Sequence, residues 1–151
     1  MNLDRLKTKL DAAEARRVRV YDDRTGKDIV PGTLVQGHPT IGVGRALDVN
    51  GLSGDEIEFL LDNDIRRRQA EILRALPWWS TLDDVRQEVV FEMEFQTGLG
   101  GLLGFHDALS HMKAGRFEDA AREMLDSHVA RDVAPGRWRR MAEEMRTGVS
   151  A

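Results

Sequence analysis

The sequence predicts an α+β protein that is mainly α, on three observations. Helical periodicity covers most of the chain, strand-like alternation is confined to residues 16–48, and one long amphipathic segment at 53–76 separates that stretch from a helical remainder. Strands and helices segregated along a chain argue for α+β rather than for alternating βαβ units. The 151 residues suit one domain; 41% are hydrophobic and 32% charged, a balance far from that of disordered chains. A chain of this size buries roughly two-thirds of the surface its unfolded form exposes, enough for one core.

The first helix is expected at about residues 2–14, where Leu3, Leu6 and Leu10 share a face at helical spacing. Across 16–48, Val18-Arg19-Val20-Tyr21 and Thr40-Ile41-Gly42-Val43-Gly44 alternate as strands do. Turn signals at Gly26, Pro31-Gly32 and Gly37-His38-Pro39 separate them, so a small antiparallel sheet is expected. The long helix at about 53–76 opens on Ser53-Gly54-Asp55-Glu56, a hydroxyl followed three residues later by a carboxylate, as in a capping box. Ile57, Leu60, Leu61, Ile65, Ile72, Leu73 and Leu76 form its stripe, and Pro77 ends it. Thr81-Leu82-Asp83-Asp84 opens a further helix to about Phe95, burying Val85, Val89, Val90 and Met93. Helices follow at about 105–113 and 117–130. The last starts at Pro135, a favoured first-turn residue, and runs to about Arg146.

Several classes are excluded or demoted. With no cysteine there are no disulfides, thiolate metal sites or cysteine nucleophiles. The net charge of -4 includes an excess of six acidic groups in residues 51–100, and no segment has the basic excess of a nucleic-acid binder. No apolar run approaches the roughly 20 residues of a membrane helix, so no stable membrane insertion is expected. Asp4 and Asp11 interrupt the start of the chain where a signal peptide needs an apolar stretch, so synthesis in a cytoplasm without export is expected. The phosphate-loop, zinc-protease and serine-elbow motifs do not occur. The glycines of Gly98-Leu99-Gly100-Gly101-Leu102-Leu103-Gly104 lie between two helices and read as a flexible turn. His38, His106, His111 and His128 lack metal-ligand spacing and read as surface or capping residues. No metal or cofactor is expected.

Carboxylate chemistry remains. Glu14 ends the first helix, and Asp23 follows nine residues later, just past a predicted strand. Glycosidic hydrolysis needs two carboxyls held by different elements, one to protonate the leaving oxygen and one to activate water or attack the anomeric carbon. Spacing alone is weak support, because 26 acidic residues make many such pairs. An ion pair of Glu14 with Arg17, worth about 0.3–0.5 kcal/mol, explains Glu14 equally simply.

The wider region is more specific. Leu10-Asp11-Ala12-Ala13-Glu14-Ala15-Arg16-Arg17-Val18-Arg19-Val20-Tyr21-Asp22-Asp23, followed by Pro39-Thr40-Ile41-Gly42-Val43-Gly44, resembles the active-site region of the phage-type lysozymes, endolysin muramidases that cut peptidoglycan. The family pattern is a helix-ending Glu, eight residues, an Asp, and then a Thr opening a Thr-Ile-Gly-x-Gly strand; Glu14, Asp23 and Thr40 fit it. Trp78-Trp79, Phe95-Gln96-Thr97-Gly98, Gly101-Leu102-Leu103-Gly104-Phe105 and Arg137-Trp138-Arg139-Arg140-Met141 are similar to the family's C-terminal lobe. Three departures stand out. An insertion around 27–36 lengthens the connection from Asp23 to Thr40, Arg45 stands where the family often has His, and the chain is acidic where many cell-wall hydrolases are basic.

The resemblance implies a single lysozyme-like catalytic domain over 1–151. It would have a sheet lobe at about 15–50, a helical lobe at about 77–151 packed with helix 2–14, and 53–76 connecting them. It implies hydrolysis of the β-1,4 bond between N-acetylmuramic acid and N-acetylglucosamine. Glu14 would be the general acid, aided by its place at a negative helix end and by desolvation under the sheet. Asp23 would stay ionised and hold the attacking water, with the Thr40 hydroxyl orienting it. Gln96 would bind an acetamido group, or is simply a polar helix-end residue. Arg137 would orient the Glu14 carboxyl, or is a first-turn surface residue. Trp78 and Trp79 read as packing for the second lobe, Phe95 and Phe105 as core, and Arg66-Arg67-Arg68 as a solvated helix face. The expected partner is bacterial peptidoglycan, met by a monomer after a separate membrane-lesion protein releases it to the wall. Two other activities compete. A lytic transglycosylase needs one acid and no water, and an inactive lysozyme-like module only binds peptidoglycan; Asp23 and Thr40 favour hydrolysis. An ordinary helical interaction domain leaves all three residues unexplained.

Overall fold

The computed structural model describes residues 1–14 and 16–150. Ala15 and Ala151, which bound the expected lobes, lie outside the described residues. The chain is mainly helical α+β and divides into two compact units, Met1–Leu60 and Leu61–Ala151.

The first unit opens with α1 (Leu3–Glu14), started by Asn2, whose side chain accepts from the Arg5 amide at 2.9 Å. No residue of α1 is buried, so its leucine face is amphipathic in pattern only: Leu3 and Leu10 are exposed and Leu6 is half-buried. Three strands form an antiparallel sheet in the order β1 (Arg17–Asp22), β2 (Pro39–Gly42), β3 (Arg45–Ala46). Tyr21 pairs with Thr40 and Asp22 with Pro39, while Thr40 pairs on its other side with Ala46. The register of β1 shifts between Arg17 and Tyr21, the local irregularity of a bulge. Arg17 donates to Asp28 at 2.6 Å and to the Gly26 carbonyl at 2.8 Å, and its guanidinium lies over the Tyr21 ring. It is therefore not the partner of Glu14. A short α2 (Leu47–Asn50) follows β3.

The division falls within α3 (Gly54–Ala75). Its capping box forms as expected: Glu56 N–H donates to Ser53 Oγ, and Ser53 N–H donates to Glu56 Oε2 at 2.8 Å. The stripe does not bury along its length. Ile57, Leu60, Leu61 and Leu73 are exposed, and Ile72 is the buried residue of the helix. No described helix is long and apolar enough to cross a membrane.

In the second unit a 3₁₀ turn at Pro77–Thr81 leads to α4 (Asp84–Leu103), capped by Asp83, whose side chain accepts from the Arg86 amide. The expected turn at the glycine run is a kink inside α4, where Gly98 takes φ 70° and ψ 167° and the chain resumes helical geometry. Next come α5 (His106–Lys113), α6 (Phe117–Leu125), which ends short of the expected 130, a π-helical turn at Val129–Val133, and α7 (Pro135–Thr147). The core joins Ile72, Val89, Val90 and Leu102 to Trp138 and five methionines, Met93, Met112, Met124, Met141 and Met145. Trp138 stacks on Phe105 with ring centroids 5.2 Å apart. Unbranched methionines fill the irregular gaps among short helices. Phe95, expected in the core, is exposed and has the Arg68 guanidinium over its ring.

Candidate active site

The organising residue of the first unit is one the sequence does not single out. Asp22, at the end of β1, is 1% exposed. Its Oδ1 accepts from the amides of Arg24 (2.9 Å), Thr25 (3.3 Å) and Gly37 (3.1 Å), and its Oδ2 from that of Gln36 (2.6 Å). The Gln36 amide contributes most to holding this carboxyl below the usual aspartate value; desolvation opposes it, and the other three amides add. The Asp22 amide in turn donates to the Lys27 carbonyl at 2.9 Å. Both ends of the 27–36 insertion are thus fastened to Asp22.

That staple sets the position of the neighbouring residues. Asp23 is exposed; its Oδ1 accepts from the His38 amide at 2.7 Å, and its own amide donates to the His38 carbonyl at 3.1 Å. Thr40, in β2, is 3% exposed, and its hydroxyl donates to the same His38 carbonyl at 3.1 Å. Gly37 has no room for a side chain, since a Cβ there would run into Asp23 Oδ1 and lie 2.9 Å from the Arg24 amide nitrogen. Glu14, the last residue of α1, is exposed rather than covered by the sheet. Its carboxyl lies over Gly44, where a Cβ would be 3.1 Å from Oε2 and where φ is +70°. Strand β2 is therefore the common element. Asp23 and Thr40 meet at His38 just before it, and Glu14 lies at the glycine turn just beyond it.

Chemically this gives two exposed carboxylates flanking one strand. The Thr40 hydroxyl has its proton committed to His38, so toward a water it acts as an acceptor. The imidazole of His38, expected as a surface or capping residue, has its Nδ1 2.8 Å from Asp48 Oδ2. The hydrogen bond to Asp48, that residue's charge and the charge of Asp23 together raise the His38 pKa, against its desolvation.

Gln96 and Arg137 belong to the second unit. Gln96 is half-buried; its Oε1 accepts from Trp138 Nε1 at 3.1 Å, and its Nε2 lies 3.9 Å from Met141 Sδ. The amide is thus oriented by the core instead of trailing from a helix end. Arg137 is exposed in the first turn of α7. Trp79 is buried and donates to the Gln87 carbonyl. The most buried carboxylate of this unit, Glu94, accepts from Arg68 Nη1 with both oxygens at 2.9 Å, so Arg68 is an anchored residue and not part of a solvated face. Two hollows, about 390 Å³ beside Trp79 and Phe91 and about 490 Å³ beside Leu52 and Phe59, have walls without Glu14, Asp23 or Thr40.

No family model matches the sequence. The chain is similar to the pre-baseplate central spike protein Gp5 of Enterobacteria phage T4, 26% identical over 142 residues. The similarity covers 76% of this chain and 23% of that protein, so the chain spans about a quarter of the length of this curated relative.

Proposed function

We propose that the chain is a lysozyme-like muramidase that hydrolyses the β-1,4 bond between N-acetylmuramic acid and N-acetylglucosamine in peptidoglycan. One observation carries the reading: the main chain of His38, just before strand β2, binds the side chains of Asp23 and Thr40, and the Glu14 carboxyl lies at the glycine turn past the end of that strand. The similarity to a phage spike protein supports a phage or prophage source. Residues 15–50 and 77–151 are read as the sheet and helical lobes of one catalytic domain.

Glu14, when protonated, gives its proton to the leaving glycosidic oxygen. Asp23 accepts a proton from the attacking water, whose second hydrogen points to the Thr40 oxygen. The developing oxocarbenium charge is stabilised by the Asp23 carboxylate. Gln96 and Arg137 keep their substrate-binding roles on the resemblance alone. Delivery is read as synthesis in a host cytoplasm followed by passage through a lesion made by a separate membrane protein.

Mass spectrometry of digested peptidoglycan tests the reading. Muropeptides with reducing N-acetylmuramic ends are expected. Anhydromuramic ends would replace hydrolysis with transglycosylation, and an undigested wall to which the protein binds would leave only a binding module. Glu14→Gln should fold normally and lose about 10²–10⁴-fold in activity, the range for loss of a general acid.

A further inference from the structure

We infer that His38 is a positioning residue for this site, with Asp48 as its anchor: the His38 main chain holds the Asp23 and Thr40 side chains together, and the Asp48–His38 side-chain pair fixes the orientation of that main chain. The inference rests on the proposed roles of Asp23 and Thr40.

Three contacts converge on one residue. The His38 amide donates to Asp23 Oδ1, and its carbonyl accepts both the Asp23 amide and the Thr40 hydroxyl. The His38 amide and carbonyl lie on the two peptide planes that meet at its Cα; with each plane rigid and the angle between them confined to extended backbone by Pro39, rotating His38 moves the carboxylate and the hydroxyl together. Residues 36 and 37 are already held by Asp22 on the N-terminal side. On the C-terminal side Pro39 enters the sheet opposite Asp22 and restricts His38 to extended backbone. What remains is a rotation of His38 as a whole, and its side chain resists that rotation through the Asp48 carboxylate in α2, 2.8 Å from Nδ1.

Among the described residues, two carboxylates act on His38. Asp48 comes from α2, and Asp23 from the turn after β1. Asp22 lies behind the segment with its oxygens committed to amides, and Arg24 packs beside Gly37. Two carboxylates against the ring favour the imidazolium, which binds Asp48 as a charge-assisted pair. As pH rises past the raised His38 pKa the ring becomes neutral, the pair weakens, and the hold on Asp23 and Thr40 loosens. Turnover should therefore acquire an alkaline limb that belongs to His38.

The test uses the full chain, Asp48→Asn and His38→Gln, read in two independent ways. NMR titration should place the wild-type His38 ring above 6.5, with the Asp23 carboxyl signal shifting at the same midpoint. Asp48→Asn should bring both midpoints down together. Kinetics on peptidoglycan should show kcat down about 10–10²-fold in both variants, the scale of a slight misplacement, with KM little changed and the alkaline limb lost in His38→Gln. Asp48→Glu should restore most of the turnover. A ring titration that ignores Asp48→Asn, or an Asp23 signal that ignores the ring, overturns the inference. The NMR arm needs no turnover, so an inactive wild-type chain would refute the muramidase reading and leave this one still decidable.

Discussion

Among the described residues of the first unit the buried side chains are Asp22 and Thr40, both polar; in the second they are an apolar core with two carboxylates set into it. One unit is organised by hydrogen bonds to main-chain amides, the other by close packing. The difference has a physical reading. A region required to keep a strand, a long insertion and exposed acid groups in place has little apolar surface to bury, and a carboxylate accepting several amides is a compact substitute. The helical unit fixes its side chains by volume, with each methionine in the core filling what its neighbours leave.

The largest expected effect lies in the second unit. Trp138 is fully buried, stacks on Phe105 and donates to Gln96. Trp138→Ala should cost about 3–5 kcal/mol in denaturant unfolding, through the cavity and the unpaired Gln96 oxygen. Amide protection at Gln36 and Gly37 should change much less, because their bonds run to Asp22. An equal loss at those amides would show that both units unfold as one.

The same contrast explains what the sequence made readable. The helices of the second unit announce themselves locally: Asp83 caps α4, Pro135 opens α7, and Val89, Val90 and Met93 keep helical spacing. The Ser53–Glu56 box is equally local. Asp22 is not, because its partners Gln36 and Gly37 lie 14 and 15 positions away with no periodic signal to connect them. Asp23 and Thr40 were legible through a motif, whereas His38, which joins them, was not: its contacts with both are mainly main-chain and independent of its identity. Phe95 and the leucines of α1 fail in the opposite way. Apolar spacing states which face an element offers, and it does not state that a partner covers it.

A second, smaller effect belongs to the staple. Asp22→Asn keeps the shape but sets an NH₂ or an amide oxygen where two acceptor oxygens stood, so one set of amides, at Gln36 or at Gly37, Arg24 and Thr25, must lose its partner. Hydrogen exchange at those amides should quicken about tenfold or more as the local opening energy falls, while the amides of the Trp138 core stay protected. Acid should do the same to the wild type. The folded Asp22 value lies below the ordinary 3.8, so its contribution is present above 3.8 and is lost as pH falls through the folded value. His38 runs the other way. Its raised value means that its contribution is complete below 6.5 and is lost as pH rises through the folded value. The first unit should therefore be most resistant to opening between about 3.8 and 6.5, whereas the second unit shares the acid limb, through Asp83 and Glu143, and not the limb that belongs to His38. A first unit equally protected at pH 8 would show that the His38–Asp48 pair does not stabilise it.

The smallest effect comes from making one substitution in both units. Val90 is fully buried in α4, and Val18 in β1 is 88% exposed. Valine and threonine are nearly the same shape, so Val→Thr changes polarity and leaves volume almost alone. At position 90 the new hydroxyl enters the core, where an unpaired polar group costs about 1–3 kcal/mol. A helical threonine can bond the carbonyl four residues back, which puts the expected loss at the lower end, about 1 kcal/mol. At position 18 the hydroxyl meets water, and threonine suits a strand as well as valine does, so the change should stay within about 0.5 kcal/mol. Matched denaturant curves for the two variants give the difference directly. Equal losses would mean that the first unit draws apolar stabilisation from Val18 after all, and that hydrogen bonds around Asp22 are not its main support.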